Sequence, residues 1–408
     1  MIQIDFDRLR ALGLTPVLAQ RAASLAGSLA DSLADPLADP LGDPLAASMA
    51  TPAAARFDAC ATPPPPGRPA PELLRLTEVH RDAVRLHDGA DELTASVAPR
   101  LLRALADEGS GLAVGDWVLA TTDAHGQIRV HARVPPVSHI ARRDADGRRH
   151  PVVSNVDTAL LVMGLDDDFS PRRLERYLAL VQAGGSDNPV VPVVVLTKAD
   201  VVASVPGRLA ACLEALRGRV PASLDLFAVD GTDPYTVQQL RPHLAAGQTL
   251  VVLGSSGAGK STLTNTLLGR AVQDTGAVRA HDSRGKHTTT SRSLHLLPGG
   301  ACVIDTPGLR ALRPDLDAST LAATFGDIES LAPQCRFRNC RHEDEPGCAV
   351  REGVPADRVR NYHKLLREAR RDTMSVLERQ QQVAVWKARG RAGSERAKRK
   401  RAGQGDGA

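Results

Sequence analysis

The chain has 408 residues and a formal net charge of +4, which is long enough for two or three domains of about 100 to 200 residues each. Its longest apolar runs, such as "VVPVVVL", are far shorter than the roughly 20 residues that cross a bilayer, and "MIQIDFDRLRAL" is too acidic for a secretory signal. We therefore expect a cytoplasmic protein with no membrane partner, whose six cysteines are reduced, so that a local cysteine cluster indicates a metal site.

An N-terminal segment, residues 1–23, is followed by a low-complexity stretch, residues 24–71. This stretch repeats a four-residue theme, "SLAD", "SLAD", "PLAD", "PLGD", and continues into "ATPPPPGRPAP". Prolines that recur every four residues break a helix at each turn. The composition therefore predicts a disordered spacer over 24–71.

Residues 72–142 consist of short alternating segments, among them "AVRLHDG", "ELTASVA", "DWVLATTD" and "IRVHARV". That pattern is typical of a small all-β unit with roughly four or five strands. We predict an OB-type barrel here, although alternation by itself does not distinguish a barrel from a small sandwich.

Residues 150–325 alternate between strand-like and helix-like segments. The predicted strands are "TALLVMGL", "VPVVVLT", "LDLFAV", "TLVVLG", "SLHLL" and "ACVIDTPG". The predicted helices are "SPRRLERYLALVQAGG", "PGRLAACLEALRG", "DPYTVQQLRPHLAAG" and "KSTLTNTLLG". The alternation predicts an α/β domain with a parallel sheet and helices on both faces, which binds ligands at the carboxyl ends of its strands.

A phosphate-binding loop of the type G-x-x-x-x-G-K-[ST] lies between a predicted strand and a predicted helix, as "GSSGAGKST". Its backbone N–H groups are expected to surround a β-phosphate, while Lys260 reaches the β and γ oxygens and Ser261 ligates Mg²⁺. The predicted nucleotide contacts are Gly254, Ser255, Ser256, Gly257, Ala258, Gly259, Lys260, Ser261 and Thr262. ATP-driven transporter subunits carry a similar loop, but their Leu-Ser-Gly-Gly-Gln signature is absent from this chain.

Two further motifs, "DTPG" and "TKAD", point to a guanine nucleotide. Asp305 is expected to hold the Mg²⁺ shell through water, and the Gly308 amide to sense a γ-phosphate. The Asp200 carboxylate can accept hydrogen bonds from the N1 and N2 donors of guanine, which adenine lacks, while the Lys198 stem lies along the base. The predicted base-reading residues are Thr197, Lys198, Ala199 and Asp200.

The order of these motifs is the reverse of that in ordinary guanine-nucleotide switch proteins, where the phosphate loop comes first and the base-reading loop last. In a parallel sheet these loops meet in space, so joining the old ends and cutting the chain elsewhere preserves the contacts. We therefore predict a circularly permuted P-loop GTPase domain.

The segment "RGKHTTTSR" between the phosphate loop and "DTPG" is the predicted first switch. One of its hydroxyls is expected to ligate Mg²⁺, and the candidates, among which the sequence does not decide, are Thr288, Thr289 and Thr290. The usual water-orienting glutamine is replaced by Leu309, so His287 is the nearest catalytic candidate. A solvent-facing histidine is the alternative interpretation of His287.

The segment "CRFRNCRHEDEPGC" has the spacing C-x4-C-x-H-x5-C, which suits a closed tetrahedral structural Zn²⁺ site. The predicted ligands are Cys335, Cys340, His342 and Cys348, within a helical zinc-binding domain of residues 326–385. Residues 386–408 form a basic tail, which is either a solubilising end or a nucleic-acid contact. Because aromatic residues make up only 3 % of the chain, RNA binding is expected to rely mainly on phosphate contacts.

Taken together, "EVHRDAVRLHDG", "VGDWV", "SNVD", "TKAD", "GSSGAGKST", "GKHTTT", "DTPG" and the cysteine spacing resemble ribosome small-subunit-dependent GTPase A, a circularly permuted GTPase family, over roughly residues 73–375. The resemblance implies an N-terminal OB-fold, a central GTPase and a C-terminal zinc domain. It also implies a role in late maturation of the small ribosomal subunit, with hydrolysis stimulated by that subunit. The 24–71 spacer lies outside the resemblance, and "FAVDGTD" matches the usual Ser-Ala loop behind the base poorly.

These observations predict a GTP hydrolase that uses Mg²⁺ with GTP, carries one structural Zn²⁺ and is a monomer in isolation. Its expected partner is the small ribosomal subunit, whose ribosomal RNA it binds with GTP-dependent affinity. Two alternatives remain open: an ATP-using P-loop protein, and a zinc-dependent RNA-binding scaffold whose nucleotide site only gates assembly.

Overall fold

The computed structural model describes Ile2 and residues 4–34, 70–143, 148–185, 187–221, 223–271, 292–307, 315–316 and 318–372. Along these ranges a β-barrel is followed by an α/β domain and then by a group of short helices. The predicted switch residues from His287 to Thr290, Gly308 and the basic tail all lie outside the described residues. Among the described helices, none is both long and apolar enough to cross a membrane.

Two helices precede the barrel, α1 (Phe6–Arg10) and α2 (Pro16–Ala34). The second helix corrects part of the predicted spacer, because it continues through residues 24–34, where the repeat predicts disorder. The first proline of the repeat is Pro36, so the Ala- and Leu-rich sequence before it contains no proline after the start of α2. Residues 35–69 of the predicted spacer lie outside the described part of the chain.

The barrel strands are β1 (Glu72–Val79), β2 (Val84–His87), β3 (Glu92–Val97), β4 (Trp117–Thr122) and β5 (Ile128–Arg133), with α3 (Pro99–Asp107) after β3. They pair in the order β1-β2-β3-β5-β4, and β4 pairs back to β1, which closes the barrel. The pairing of β3 with β5 is parallel, while the other pairings within the barrel are antiparallel. This arrangement confirms the predicted OB-type barrel.

A separate hairpin of β6 (His139–Arg143) and β7 (Arg149–Ser154) connects the barrel to the α/β domain. The barrel itself ends with β5, so β6 falls inside the predicted 72–142 barrel range without being a barrel strand. The alternation of β6 is like that of the barrel strands, and only the pairing distinguishes them.

Asn155, directly after the hairpin, donates from Nδ2 to the Gly115 carbonyl at 3.0 Å and accepts from the Val137 amide at 3.0 Å. The "SNVD" motif therefore joins the barrel to the α/β domain.

The elements of the α/β domain alternate along the chain. They are β8 (Thr158–Gly164), α4 (Pro171–Gly184), β9 (Val191–Thr197), α5 (Ala199–Ala203), α6 (Arg208–Leu216), β10 (Leu226–Ala228), α7 (Tyr235–Gln239), β11 (Thr249–Gly254), α8 (Lys260–Leu268), β12 (Ser293–Leu296) and β13 (Cys302–Asp305). The sheet order is β10-β9-β8-β11-β13-β12, with β12 antiparallel and the others parallel. The predicted helix "DPYTVQQLRPHLAAG" is shorter than expected, because α7 ends at Gln239 and a 3₁₀ turn that contains Pro242 follows it.

The last described unit consists of α9 (Ala318–Thr324), α10 (Gly326–Leu331), α11 (Ala349–Gly353) and α12 (Ala356–Asp372). Its core includes Leu316, Leu321 and Phe325, so this helical unit begins before the predicted boundary at residue 326. The spacing of apolar residues continues unchanged through 316–325. The sequence therefore does not show where the core of the α/β domain ends and that of the helical unit begins.

A buried carboxylate on α4 fixes the helical unit on the α/β domain. Glu175 is 0 % exposed and accepts hydrogen bonds from Arg358 Nη1 at 2.9 Å and Asn361 Nδ2 at 2.5 Å, both on α12. Arg219 Nη1 donates to the same carboxylate at 3.2 Å. Arg358 also binds the Asp327 carboxylate through two nitrogens, at 2.7 and 2.8 Å. In this network the buried charges of Glu175 and Arg358 each have an opposite charge in contact.

Candidate nucleotide site and metal centre

The phosphate loop joins the end of β11 to the first residue of α8. A Cβ at Gly254 would lie 2.4 Å from the Val162 carbonyl oxygen, so only glycine fits there. Gly259 has φ +86°, a conformation that favours glycine, and precedes the helix directly. The Lys260 Nζ donates to the Ser255 carbonyl at 2.7 Å, so the loop curls around the lysine side chain. The predicted strand–loop–helix context of this motif is confirmed.

Asp305 stands at the end of β13, and its register partner on β11 is Val252. Neither carboxylate oxygen of Asp305 has a hydrogen-bond partner in the described part of the chain, although both are buried. Burial raises the pKa of Asp305 to about 6, against the opposing charge of Lys260. Burial also lowers the pKa of Lys260. A buried carboxylate whose oxygens have spare accepting capacity fits, as an oxygen ligand, the Mg²⁺ that accompanies a nucleotide.

The base-reading loop is hydrogen-bonded to the phosphate loop. Thr197 Oγ1 donates to the Ala258 carbonyl at 2.7 Å, and Lys198 Nζ donates to the Gly257 carbonyl at 2.8 Å. Lys198 has φ +63°, a left-handed conformation directly before α5. Asp200 lies exposed in the first turn of α5. The two motifs that stand in reversed order in the sequence are therefore in direct contact in the fold.

The loop after β10, "VDGTD", reaches the same edge of the sheet. The Ala199 amide donates to the Val229 carbonyl at 3.1 Å, and Thr266 Oγ1 of α8 donates to the Gly231 carbonyl at 2.6 Å. Asp230 Oδ1 accepts from the Thr232 hydroxyl at 2.7 Å and stabilises the turn. The "VDGTD" loop, which matches the usual Ser-Ala pattern poorly, therefore lies beside the base-reading loop.

Two aspartates after β8, which the motif analysis missed, hold both nucleotide loops. Asp166 Oδ2 accepts from Lys198 Nζ at 2.5 Å. Asp168 accepts from Ser255 Oγ at 2.6 Å, and Arg173 Nη1 donates to the same hydroxyl at 2.9 Å. Arg173 also forms an ion pair with Asp168. The available signal was "GLDDDF" directly after a predicted strand, at the edge where the other strand-end loops meet.

The Cys/His cluster is assembled as the spacing predicts. The ligand atoms of Cys335, Cys340, His342 and Cys348 all lie within 4.8 Å of one another. His342 Nδ1 is 3.6 Å from Cys335 Sγ and 3.4 Å from Cys348 Sγ, and the two sulfurs are 3.9 Å apart. A tetrahedron with Zn–S bonds of about 2.3 Å has edges of about 3.8 Å. Three thiols and an imidazole at these separations could hold a zinc ion.

We predict that Asp168→Ala raises the Kd for GTP about tenfold, because Ser255 and Arg173 both lose a charged partner beneath the phosphate loop. The matched control is Asp167→Ala, which removes an exposed carboxylate next to it in the sequence. Titration of a fluorescent GTP analogue into both variants measures the difference. Equal affinities in the two variants would show that Asp168 does not support the loop.

Comparisons with known proteins agree with this site. A profile described as RsgA GTPase matches residues 134–314. The small ribosomal subunit biogenesis GTPase RsgA of Xanthomonas campestris pv. campestris (strain B100) is 46 % identical over 321 residues, which cover 74 % of this chain and 85 % of that protein. The protein of the same name from Xanthomonas oryzae pv. oryzae (strain MAFF 311018) is 46 % identical over 299 residues, which cover 71 % of this chain and 79 % of that protein.

The fold is also similar to the crystal structure of YjeQ from Thermotoga maritima, with a TM-score of 0.52 and 22 % sequence identity. That similarity covers 73 % of this chain and 98 % of the other. The permuted order of the motifs, the closed barrel and the Cys/His cluster confirm the predicted fold class. The chain belongs to the RsgA GTPase family.

Proposed function

We propose that this protein hydrolyses GTP in the maturation of the small ribosomal subunit and acts in the cytoplasm. The observation that carries the proposal is the direct contact between the Lys198 loop and the phosphate loop, which unites a guanine-reading motif with a phosphate site. Its relatives, which are 46 % identical, are named as biogenesis GTPases of that subunit.

Guanine is selected by Asp200, whose exposed carboxylate faces solvent in the first turn of α5 and is free to accept from the N1 and N2 donors of the base. Lys198 lies along the base, and the Ala199 amide donates a hydrogen bond to the Val229 carbonyl, which fixes the loop. Adenine offers no matching donor pair, which argues against the ATP-using alternative.

Phosphate transfer is supported by the residues of the two strand-end loops. Lys260 would bind the β and γ oxygens, Ser261 would ligate the magnesium that accompanies GTP, and Asp305 would hold the water shell of that ion. When bound, that ion neutralises charge that develops on the phosphates. We further propose that the switch threonines, the Gly308 amide and His287 complete the reaction, with one hydroxyl from Thr288, Thr289 or Thr290 on the magnesium.

The Cys/His cluster is proposed to hold one structural zinc. Its donor set has no open position for a substrate, and its separations suit a tetrahedral ion. The ribosomal RNA of the small subunit is the proposed partner of the flanking barrel and zinc domain, with an affinity that depends on the nucleotide, and the protein is proposed to be a monomer in isolation.

Small ribosomal subunits should accelerate GTP turnover at least about tenfold, since a rate that depends on the subunit couples hydrolysis to a completed assembly step. Phosphate release with and without purified small subunits measures this effect, with large subunits as the control. A non-hydrolysable GTP analogue should also hold the protein on small subunits more tightly than GDP does at the same salt concentration. Equal rates and equal affinities would favour the scaffold alternative, in which the nucleotide site only gates assembly.

Asp200→Asn should lower the preference for GTP over ATP by roughly 2 to 4 kcal/mol, because the amide presents a donor to the N1 and N2 donors of guanine. The same variant should gain affinity for xanthosine triphosphate, whose 2-carbonyl can accept from the new amide. Competition binding with the three nucleotides measures both effects. Unchanged selectivity would remove the guanine assignment while leaving the phosphate site intact.

Metal analysis of protein purified without chelators should find about one zinc per chain. Cys340→Ser should lose the metal and expose the helical unit to proteolysis, because a structural zinc site contributes directly to folding. GTP affinity should change little, since the nucleotide contacts lie on the α/β domain. Protein that lacks zinc but resists proteolysis to the same extent would contradict the assignment.

A further inference from the structure

The zinc loop presents an exposed cationic and aromatic surface that the nucleotide site does not use. We call this surface the zinc-loop patch, and its residues are Arg336, Phe337, Arg338, Asn339 and Arg341. All of them are exposed, and they surround or follow the metal ligand Cys340. Phe337 is 42 % exposed, so its ring is accessible to a binding partner.

The backbone on both sides of the ring is fixed by hydrogen bonds. The Cys340 amide donates to the Phe337 carbonyl at 3.1 Å, and the Arg336 amide donates to the Gly347 carbonyl at 3.0 Å. Gly347 has φ +70°, and a Cβ there would lie 3.1 Å from the Arg336 Cβ, so the two arms of the loop pack closely. The metal ligands Cys335 and Cys340 bracket Phe337 in the sequence, so the backbone that carries the ring is part of the Cys/His loop.

The guanidinium groups of the patch suit the phosphates of an anionic partner, while Glu343, Asp344 and Glu345 line the adjoining cleft. The Arg336 guanidinium lies 5.7 Å from the centre of the Phe337 ring. In the described part of the chain no ion pair engages the side chains of Arg338 and Arg341. The nearby Glu345 carboxylate is already used inside the loop, since it accepts from the amides of Arg341 and Glu343 at 2.9 Å each.

An open cleft of about 560 Å³ begins at the ring. Its lining residues are Phe337, Asn339, Arg341, Glu343, Asp344 and Glu345. The Asn339 amide and the exposed Glu343 carboxylate provide hydrogen-bond donors and acceptors beside an aromatic face. An aromatic platform, adjacent amide and carboxylate groups, and free guanidiniums are the groups with which proteins bind an unstacked base and its phosphates.

We propose that the zinc-loop patch binds an unpaired nucleotide of RNA, with the base stacked on Phe337 and the flanking phosphates bound by Arg338 and Arg341. This inference rests on the proposed function, which supplies RNA as the partner. A base-paired helix keeps its bases stacked on one another, so the ring selects single-stranded RNA or a looped-out base. The patch thus adds stacking to the phosphate contacts that the composition of the chain predicts.

Phe337→Ala should weaken binding to small subunits and to a single-stranded RNA of about 12 nucleotides by about 5- to 100-fold, while binding to the same RNA in a duplex changes little. Phe337→Trp should restore binding, because it keeps an aromatic face. The matched control is Tyr235→Ala, which removes the other exposed aromatic side chain of the described residues, 57 % exposed on the α/β domain. Full-length protein loaded with a GTP analogue is used, and zinc content verifies that each variant is folded.

Arg338→Gln should also reduce the slope of log affinity against log salt concentration by about 0.7 to 0.9, because one phosphate contact is lost. Arg208→Gln, an exposed arginine on α6, is its control and should leave the slope unchanged.

Equal binding by Phe337→Ala and Tyr235→Ala would overturn the inference. Weaker binding to subunits with unchanged binding to the single-stranded RNA would also overturn it, and would indicate a ribosomal protein as the partner. If the wild-type protein itself fails to bind small subunits, the proposed function fails instead, and the RNA titrations still test the patch.

Discussion

The hydrogen bonds from Thr197 and Lys198 to the carbonyls of Ala258 and Gly257 are the constraint on which the nucleotide site depends. They join loops from β9 and β11, two strands separated in the sheet by β8. The loop after β8 fills the space between them, and its Asp166 contributes to the Lys198 contact. Because all three loops leave the same edge of a parallel sheet, the contacts depend on strand order in space and not on the order of motifs in the chain. The permuted sequence therefore builds the same kind of site.

Sequence reasoning succeeded where short motifs have fixed local geometry, as in the phosphate loop and the Cys/His spacing, and where strands alternate strongly. It missed Asp168 because the role of an isolated carboxylate depends on which side chains fold against it, and Ser255 is 87 residues away. It placed β6 in the barrel because pairing partners are not encoded in alternation. It began the predicted spacer at residue 24, although α2 continues to Ala34. The four-residue repeat looks the same before its first proline as after it, so the sequence pattern does not show where the helix ends.

Helix α4 connects the nucleotide loops to the helical unit. Arg173 donates a hydrogen bond to Ser255 of the phosphate loop. Glu175, only two residues later, accepts a hydrogen bond from Arg358 of α12. Further along α4, Arg176 forms an ion pair with Glu368. Arg173, Glu175 and Arg176 lie within about one turn of the same helix, so the contacts to the phosphate loop and to α12 keep a fixed position relative to each other. The helical unit is thereby oriented by the same element that supports the phosphate loop, besides being joined to it through the chain that follows Asp305.

The buried charges make that orientation specific. A guanidinium such as Arg358 is tolerated at 2 % exposure because Glu175 and Asp327 both accept from it, and a shift of α12 along α4 would separate these partners. Such a shift would leave buried charges without partners, which is strongly destabilising. From α12, His363 Nε2 lies 3.4 Å from the carbonyl oxygen of His342 in the zinc loop. The zinc-loop patch consequently faces solvent in an orientation set by contacts that lead back to the nucleotide site.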